Sequence, residues 1–135
     1  MPFQLTFAER YVYKSLESGI TIPTALRLGR HFVSVDAKID TGAQVCLYTR
    51  DAGEDLGIDI ESGIPLSLTT IAGSMLAYGH EVTLETLGLS FQTIVYFSEF
   101  ENLPRNLLGR QGWLRLVRLA IVDYDEAIYL SPYTG

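Results

Sequence analysis

The chain holds one cysteine, Cys46, two histidines, and only 10 lysines and arginines against 16 aspartates and glutamates in 135 residues. A single thiol cannot form an internal disulfide, and His31 and His80 stand far apart with no cysteine at zinc-ligand spacing. These absences point to a reducing, cytoplasmic setting, with no metal site and no cofactor. The formal charge of −6 leaves no cluster of Lys and Arg to meet nucleic acid or an anionic membrane, so neither is expected as a partner. No apolar run approaches the roughly 18 residues of a membrane span, and residues 1–10 lack a basic stretch followed by an apolar one. Secretion and membrane insertion are therefore not expected. The length suits a single domain over residues 1–135 and is too short for two lobes that each fold alone.

What is present is β-pattern. Short stretches rich in Val, Ile, Thr, Tyr and Phe alternate apolar and polar residues between glycines, which predicts a mainly β fold. Phe3, Leu5 and Phe7 alternate in a first candidate strand, and Ile20–Leu28, interrupted by Pro23, reads as a second. From His31 to Ile39 the alternation is clean, with Val33, Val35, Ala37 and Ile39 on one face and Ser34, Asp36 and Lys38 on the other. A further strand is expected over Gln44–Thr49. Thr49 can cap a short helix that holds Ala52 and Leu56 and stops at Gly57. The runs Ile64–Ile71 and Met75–Leu87 meet at Ala72-Gly73-Ser74, which predicts a long hairpin with its tip near Gly73. Leu89–Phe97, Val117–Val122 and Ala127–Leu130 complete the strands, with a short helix expected around Gln111–Leu116.

The distinctive tetrapeptide is Asp40-Thr41-Gly42-Ala43, at the end of the cleanest strand. Gly42 lets the backbone turn tightly, and the turn presents the Asp40 carboxylate from a rigid mount. Downstream, after a loop, stands Leu107-Leu108-Gly109-Arg110. The order of strand, Asp-Thr-Gly-Ala turn, strand, hairpin with a small-residue tip, then apolar-apolar-Gly-Arg resembles the retroviral-type aspartic proteases, the retropepsins, over about Phe32–Val122. The resemblance implies a single-lobed, closed β-barrel-like acid protease fold with a flap hairpin and one or two short helices. It also implies an aspartic endopeptidase in which Asp40 is catalytic and the Thr41 hydroxyl crosses to the partner subunit. Gly42 and Ala43 would shape the site floor. The flap, Ile71, Ala72, Gly73, Ser74 and Met75, would bind substrate with Ala43, while Leu108, Gly109 and Arg110 would support the site. Retroviral flaps are usually richer in glycine than this one.

Such chemistry needs two carboxylates that share a proton. The chain has no second Asp-Thr-Gly turn, since Glu17-Ser18-Gly19 and Glu61-Ser62-Gly63 carry Glu in the first place. A homodimer with one Asp40 from each copy is therefore expected, acting on peptide or unfolded protein segments. The alternative is a catalytically silent peptide-binding or dimerisation module with the same fold. A third reading takes the chain as a protease domain excised from a longer parent, and the initial Met1 speaks against it. Among other residues, Cys46 is expected to be a buried small hydrophobe, and His31 and His80 solvated surface histidines. Trp113, Leu114, Leu116 and Leu119 are expected in the core. Asp51, Glu54, Asp55 and Asp59 lack calcium-loop spacing and belong to a solvated helix face. Arg105, Arg110, Arg115 and Arg118 are candidates to pair with that acidic helix or with a partner subunit.

Overall fold

The structure, a computed structural model, describes every residue except Ser15, Ala72 and Gly135. Among the described residues the strands are β1 (Glu9–Val12), β2 (Thr21–Leu28), β3 (His31–Ile39), β4 (Leu47–Tyr48), β5 (Ile64–Thr70), β6 (Gly73–Thr86), β7 (Leu89–Ser98), β8 (Asn106–Leu108), β9 (Val117–Val122) and β10 (Ala127–Pro132). One α-helix, α1 (Arg50–Asp55), lies between β4 and β5. The alternation of β3 is realised as expected: Ala37 and Ile39 are buried, while Phe32, Ser34 and Asp36 are exposed.

Six strands close into a barrel in the order β2-β3-β8-β4-β7-β6, shut by pairing of β2 with β6 from Thr24↔Thr86 to Arg27↔Thr83. Pro23 has no N–H to offer, and it sits one residue outside that closing stretch. Strands β6 and β7 are joined by Leu87 and Gly88, both at positive φ (49° and 83°), the backbone of a tight two-residue hairpin turn. β5 continues from β6 outside the ring, so the β5–β6 hairpin projects from the barrel with Thr70↔Gly73 as its last pair. Thr49 caps α1 by accepting the Ala52 N–H, and Gly57 follows at φ 76°.

A separate three-stranded sheet, β1-β10-β9, is built from the two ends of the chain. It packs Ile128 and Leu130, both fully buried, into the same core as the barrel residues Ile22, Leu26, Leu84 and Phe97. Trp113 is fully buried and donates its indole N–H to Thr86 Oγ1 at 3.0 Å, tying the segment after β8 to the barrel.

Several expectations are corrected. The stretch Phe3–Phe7 is not a strand, and Phe3 and Leu5 are exposed. The strand begins at Glu9 and pairs with β10. Continuing that register would set Phe7 opposite Pro132, which has no N–H to donate, and Ala8 instead donates to the Ser131 hydroxyl at 2.6 Å. The expected strand Gln44–Thr49 shortens to Leu47–Tyr48, with Val45 in a lone bridge to Gln111. The expected helix at Gln111–Leu116 is only a 3-10 turn at Leu114–Leu116, because Gly112 at φ 100° and Trp113 at φ −146° break helical geometry. His80 is half-buried rather than solvated, its Nε2 lying 2.9 Å from the Ile60 carbonyl. Within the acidic helix itself, Arg50 pairs with Glu54 at 3.4 Å.

Candidate active site

Asp40 follows directly on β3, and its place is set by β8. That strand runs parallel to β3 (Ile39↔Leu108) and antiparallel to β4 (Leu47↔Leu107), so it fills the gap between the strands on either side of the turn. The Asp40 N–H donates to the Leu108 carbonyl at 2.9 Å. The turn then closes on itself, since Ala43 N–H donates to the Asp40 carbonyl at 3.1 Å and Gly42 N–H donates to Asp40 Oδ1 at 2.9 Å. One oxygen of a half-buried carboxylate is thereby oriented by the backbone.

The segment after β8 lies against the turn. Arg110 N–H donates to the Ala43 carbonyl and Gln111 N–H to the Gln44 carbonyl, each at 2.9 Å. The approach requires Gly109, where an added Cβ would stand 2.1 Å from the Val45 carbonyl oxygen. Asn106 braces the same region, taking the Thr49 N–H on Oδ1 and donating from Nδ2 to the Asp36 carbonyl, both at 2.9 Å.

A cleft of about 480 Å³ opens over Asp40. Gly42, Ala43, Gln44, Leu47 and Leu107 line it on the barrel side, and Ser67, Leu68 and Thr69 line it from the hairpin. Among the described residues, its lining carries no basic side chain. Among the residues expected from sequence, Asp40, Gly42 and Ala43 meet here, with Thr41 exposed beside them. Leu108 is fully buried, Gly109 is buried under the turn, and the Arg110 side chain is exposed.

Of the hairpin residues expected to bind substrate, none of the described ones lines this cleft. Ile71, Gly73 and Ser74 are exposed at its end, and Ala72 lies outside the described residues. Met75 is half-buried and lines a second cavity with Arg50 and Glu99. The cleft-lining residues of the hairpin are on β5 instead. Sequence reasoning missed Ser67, Leu68 and Thr69, although the register sets them opposite Leu76, Met75 and Ser74. That pairing was available from the hairpin itself.

Behind the turn, Cys46 and Tyr48 are fully buried. Burial pushes the Cys46 thiol up from 9.0 to about 11. Tyr48 is also pushed up by burial; its hydroxyl lies 2.8 Å from Thr24 Oγ1. Thr24 spends its proton on the Val35 carbonyl at 2.7 Å, so Tyr48 is the donor. Both groups favour the protonated form more strongly in the folded chain than in the unfolded one. The Cys46 contribution is complete below pH 9 and is lost as pH rises through about 11, whereas that of Tyr48 begins to be lost only above pH 10. Unfolding free energies from urea titrations should therefore fall between pH 9 and pH 11 by an amount on the order of 2 kcal/mol for Cys46, and Cys46→Ala should reduce that slope.

No family model matches the chain, and no curated protein matches it in sequence. Solved structures do match it in fold. A retropepsin-like aspartic protease from Rickettsia conorii superposes with a TM-score of 0.68 at 17% identity, over 92% of this chain and 99% of that one. EIAV protease in complex with an inhibitor superposes with a TM-score of 0.56 at 20% identity, over 73% of this chain and 88% of that one. The fold of this chain is thus that of the single-lobed retropepsin-like aspartic proteases. No helix of the described residues is long and apolar enough to cross a membrane.

Proposed function

We propose that the chain is one half of a homodimeric aspartic endopeptidase. The observation that carries this reading is Asp40, a half-buried carboxylate with one oxygen held at 2.9 Å by the Gly42 N–H, opening into a cleft without a basic side chain. One such group per chain is half of a catalytic pair. A second copy supplies the other Asp40, and at close range the two carboxyls hold one proton between them. The ionised member takes a proton from a water as its oxygen bonds the peptide carbonyl carbon. The protonated member gives its proton to the carbonyl oxygen. Collapse of the tetrahedral intermediate breaks the C–N bond, and a proton passes to the leaving amine.

Substrate lies extended between the barrel wall and the hairpin, where Val45, Leu47, Leu68 and Leu107 suit apolar side chains next to the scissile bond. Thr41 is exposed beside Asp40, and this reading assigns its hydroxyl to the contact with the partner copy. No cofactor takes part in this reaction.

The test is cleavage of a diverse peptide library from about pH 3 to pH 8 over a range of protein concentrations, with binding of a tetrahedral-intermediate mimic measured in parallel. Cutting near apolar residues, a bell-shaped profile on the acid side of neutrality and loss of rate on dilution are expected. A folded dimer that neither cuts nor binds the mimic would instead be a peptide-binding or dimerisation module of the same fold.

A further inference from the structure

The β5–β6 hairpin leaves the barrel at two roots, and one side chain holds both. On the β6 side the ladder to β7 ends at Ala77↔Ser98. One step further Glu99 takes over, donating its N–H to the Leu76 carbonyl at 3.0 Å and accepting the Leu76 N–H on its carboxylate at 2.6 Å. On the β5 side the root is the 3-10 turn Ile60–Ser62 just before the strand. There the Glu61 carboxylate receives both terminal nitrogens of Arg50, at 2.6 and 2.8 Å. The Nη1 of Arg50 also donates to the Glu99 carbonyl at 3.2 Å.

Arg50 is itself tied to the strands that carry Asp40. It is the first residue of α1, directly after Thr49, whose N–H is held by Asn106, the first residue of β8, which also donates to the Asp36 carbonyl of β3. The Arg50 side chain is only 19% exposed, whereas Glu61 is half exposed, so the guanidinium is the fixed member of the pair. Beside this junction lies a cavity of about 720 Å³, lined by Arg50, Met75, Glu99, Phe100 and Leu103. It leaves room for the β6 root to shift. A bidentate, charge-assisted contact at one root and a carbonyl contact at the other resist that shift.

We propose that Arg50 is a positioning residue that sets the hairpin over the Asp40 cleft by joining its two roots to α1. The proposal rests on the reading of the hairpin as the cover of a peptide-binding cleft, and its consequences fall into two separable sets. The first concerns the hairpin alone. Replacing Arg50 with Met removes the fork and the charge while keeping an apolar stem, and it touches neither Leu76 nor Asp40.

Amide hydrogen exchange at Leu76 and Glu99 in Arg50→Met should be faster by about tenfold, with exchange in β2 and β3 within about twofold of the parent chain. Glu61→Gln, at an exposed position that leaves the fold intact, should shift the same two amides in the same direction by less. Both shifts should recur in an Asp40→Asn background, where turnover is expected to be lost and the hairpin is read on its own. The second set concerns turnover: the KM for a cleaved peptide should rise by about tenfold in Arg50→Met with kcat within about threefold, and Arg50→Lys should recover part of that loss. Unchanged exchange at Leu76 and Glu99 in both variants, or acceleration spread equally over the barrel, would overturn the proposal. If the exchange shifts appear and no peptide is cut by any form, the clamp stands and the peptidase reading fails.

Discussion

Asp40→Asn is expected to lower peptide cleavage by about 10⁴-fold while leaving the protein folded and dimeric. The amide is isosteric with the carboxylic acid, and its oxygen can still accept the Gly42 N–H that orients Asp40 Oδ1 at 2.9 Å. What disappears is the capacity to hold or release a proton. In a homodimer the substitution removes both members at once, so neither water activation nor carbonyl protonation survives. The measurement is initial rate against a peptide found to be cut by the parent chain, with oligomeric state checked at the assay concentration. Cleavage by Asp40→Asn at the parent rate would move the chemistry to a different residue and end the aspartic reading.

The second large effect is on the scaffold. Gly109→Ala should destabilise the chain by about 3–5 kcal/mol, a large share of the ~5–15 kcal/mol that holds a domain together. A Cβ there would meet the Val45 carbonyl oxygen at 2.1 Å, its carbon at 2.6 Å and the Ala43 carbonyl oxygen at 2.9 Å. All three are backbone atoms, so no rotamer change relieves the overlap, and the segment after β8 must move off the turn. The movement would pull on the Arg110–Ala43 and Asp40–Leu108 hydrogen bonds, both 2.9 Å, and so disturb the Asp40 carboxylate as well. Urea unfolding followed by Trp113 fluorescence would report it. Gly29→Ala is the control: Gly29 has φ 58° and open space around it, so only the backbone cost of about 1 kcal/mol should appear. Equal losses at the two glycines would show that crowding at the turn is not what Gly109 relieves.

The legible parts of the molecule are those governed by local rules. The alternation of β3, the Thr49 cap with Gly57 as stop, and the hairpin closing at Thr70↔Gly73 all follow from neighbours within a few residues. Asp40 was legible for the same reason, since a turn after a clean strand announces itself. The exceptions share one cause. Phe3–Phe7 has the alternation of a strand, yet pairing depends on β10, more than a hundred residues away, and Pro132 ends the ladder before Phe7 is reached. The stretch around Trp113 has helical composition, yet Gly112 at φ 100° and a buried indole bonded to Thr86 hold it in another shape.

The site divides along the same line. Which residue bears the carboxylate, and that the chain carries one such turn rather than two, is written in the order of amino acids, because both depend on residue type and count. The distance from Gly109 to Val45, the use of β5 rather than the hairpin end to line the cleft, and the junction of Glu61, Arg50 and Glu99 are decided only in three dimensions. Each joins segments that the chain keeps apart and that meet only when β8 slides between β3 and β4 and the barrel closes through β2 and β6. Local preference selects strands and turns, and the burial of a shared core selects which of them touch.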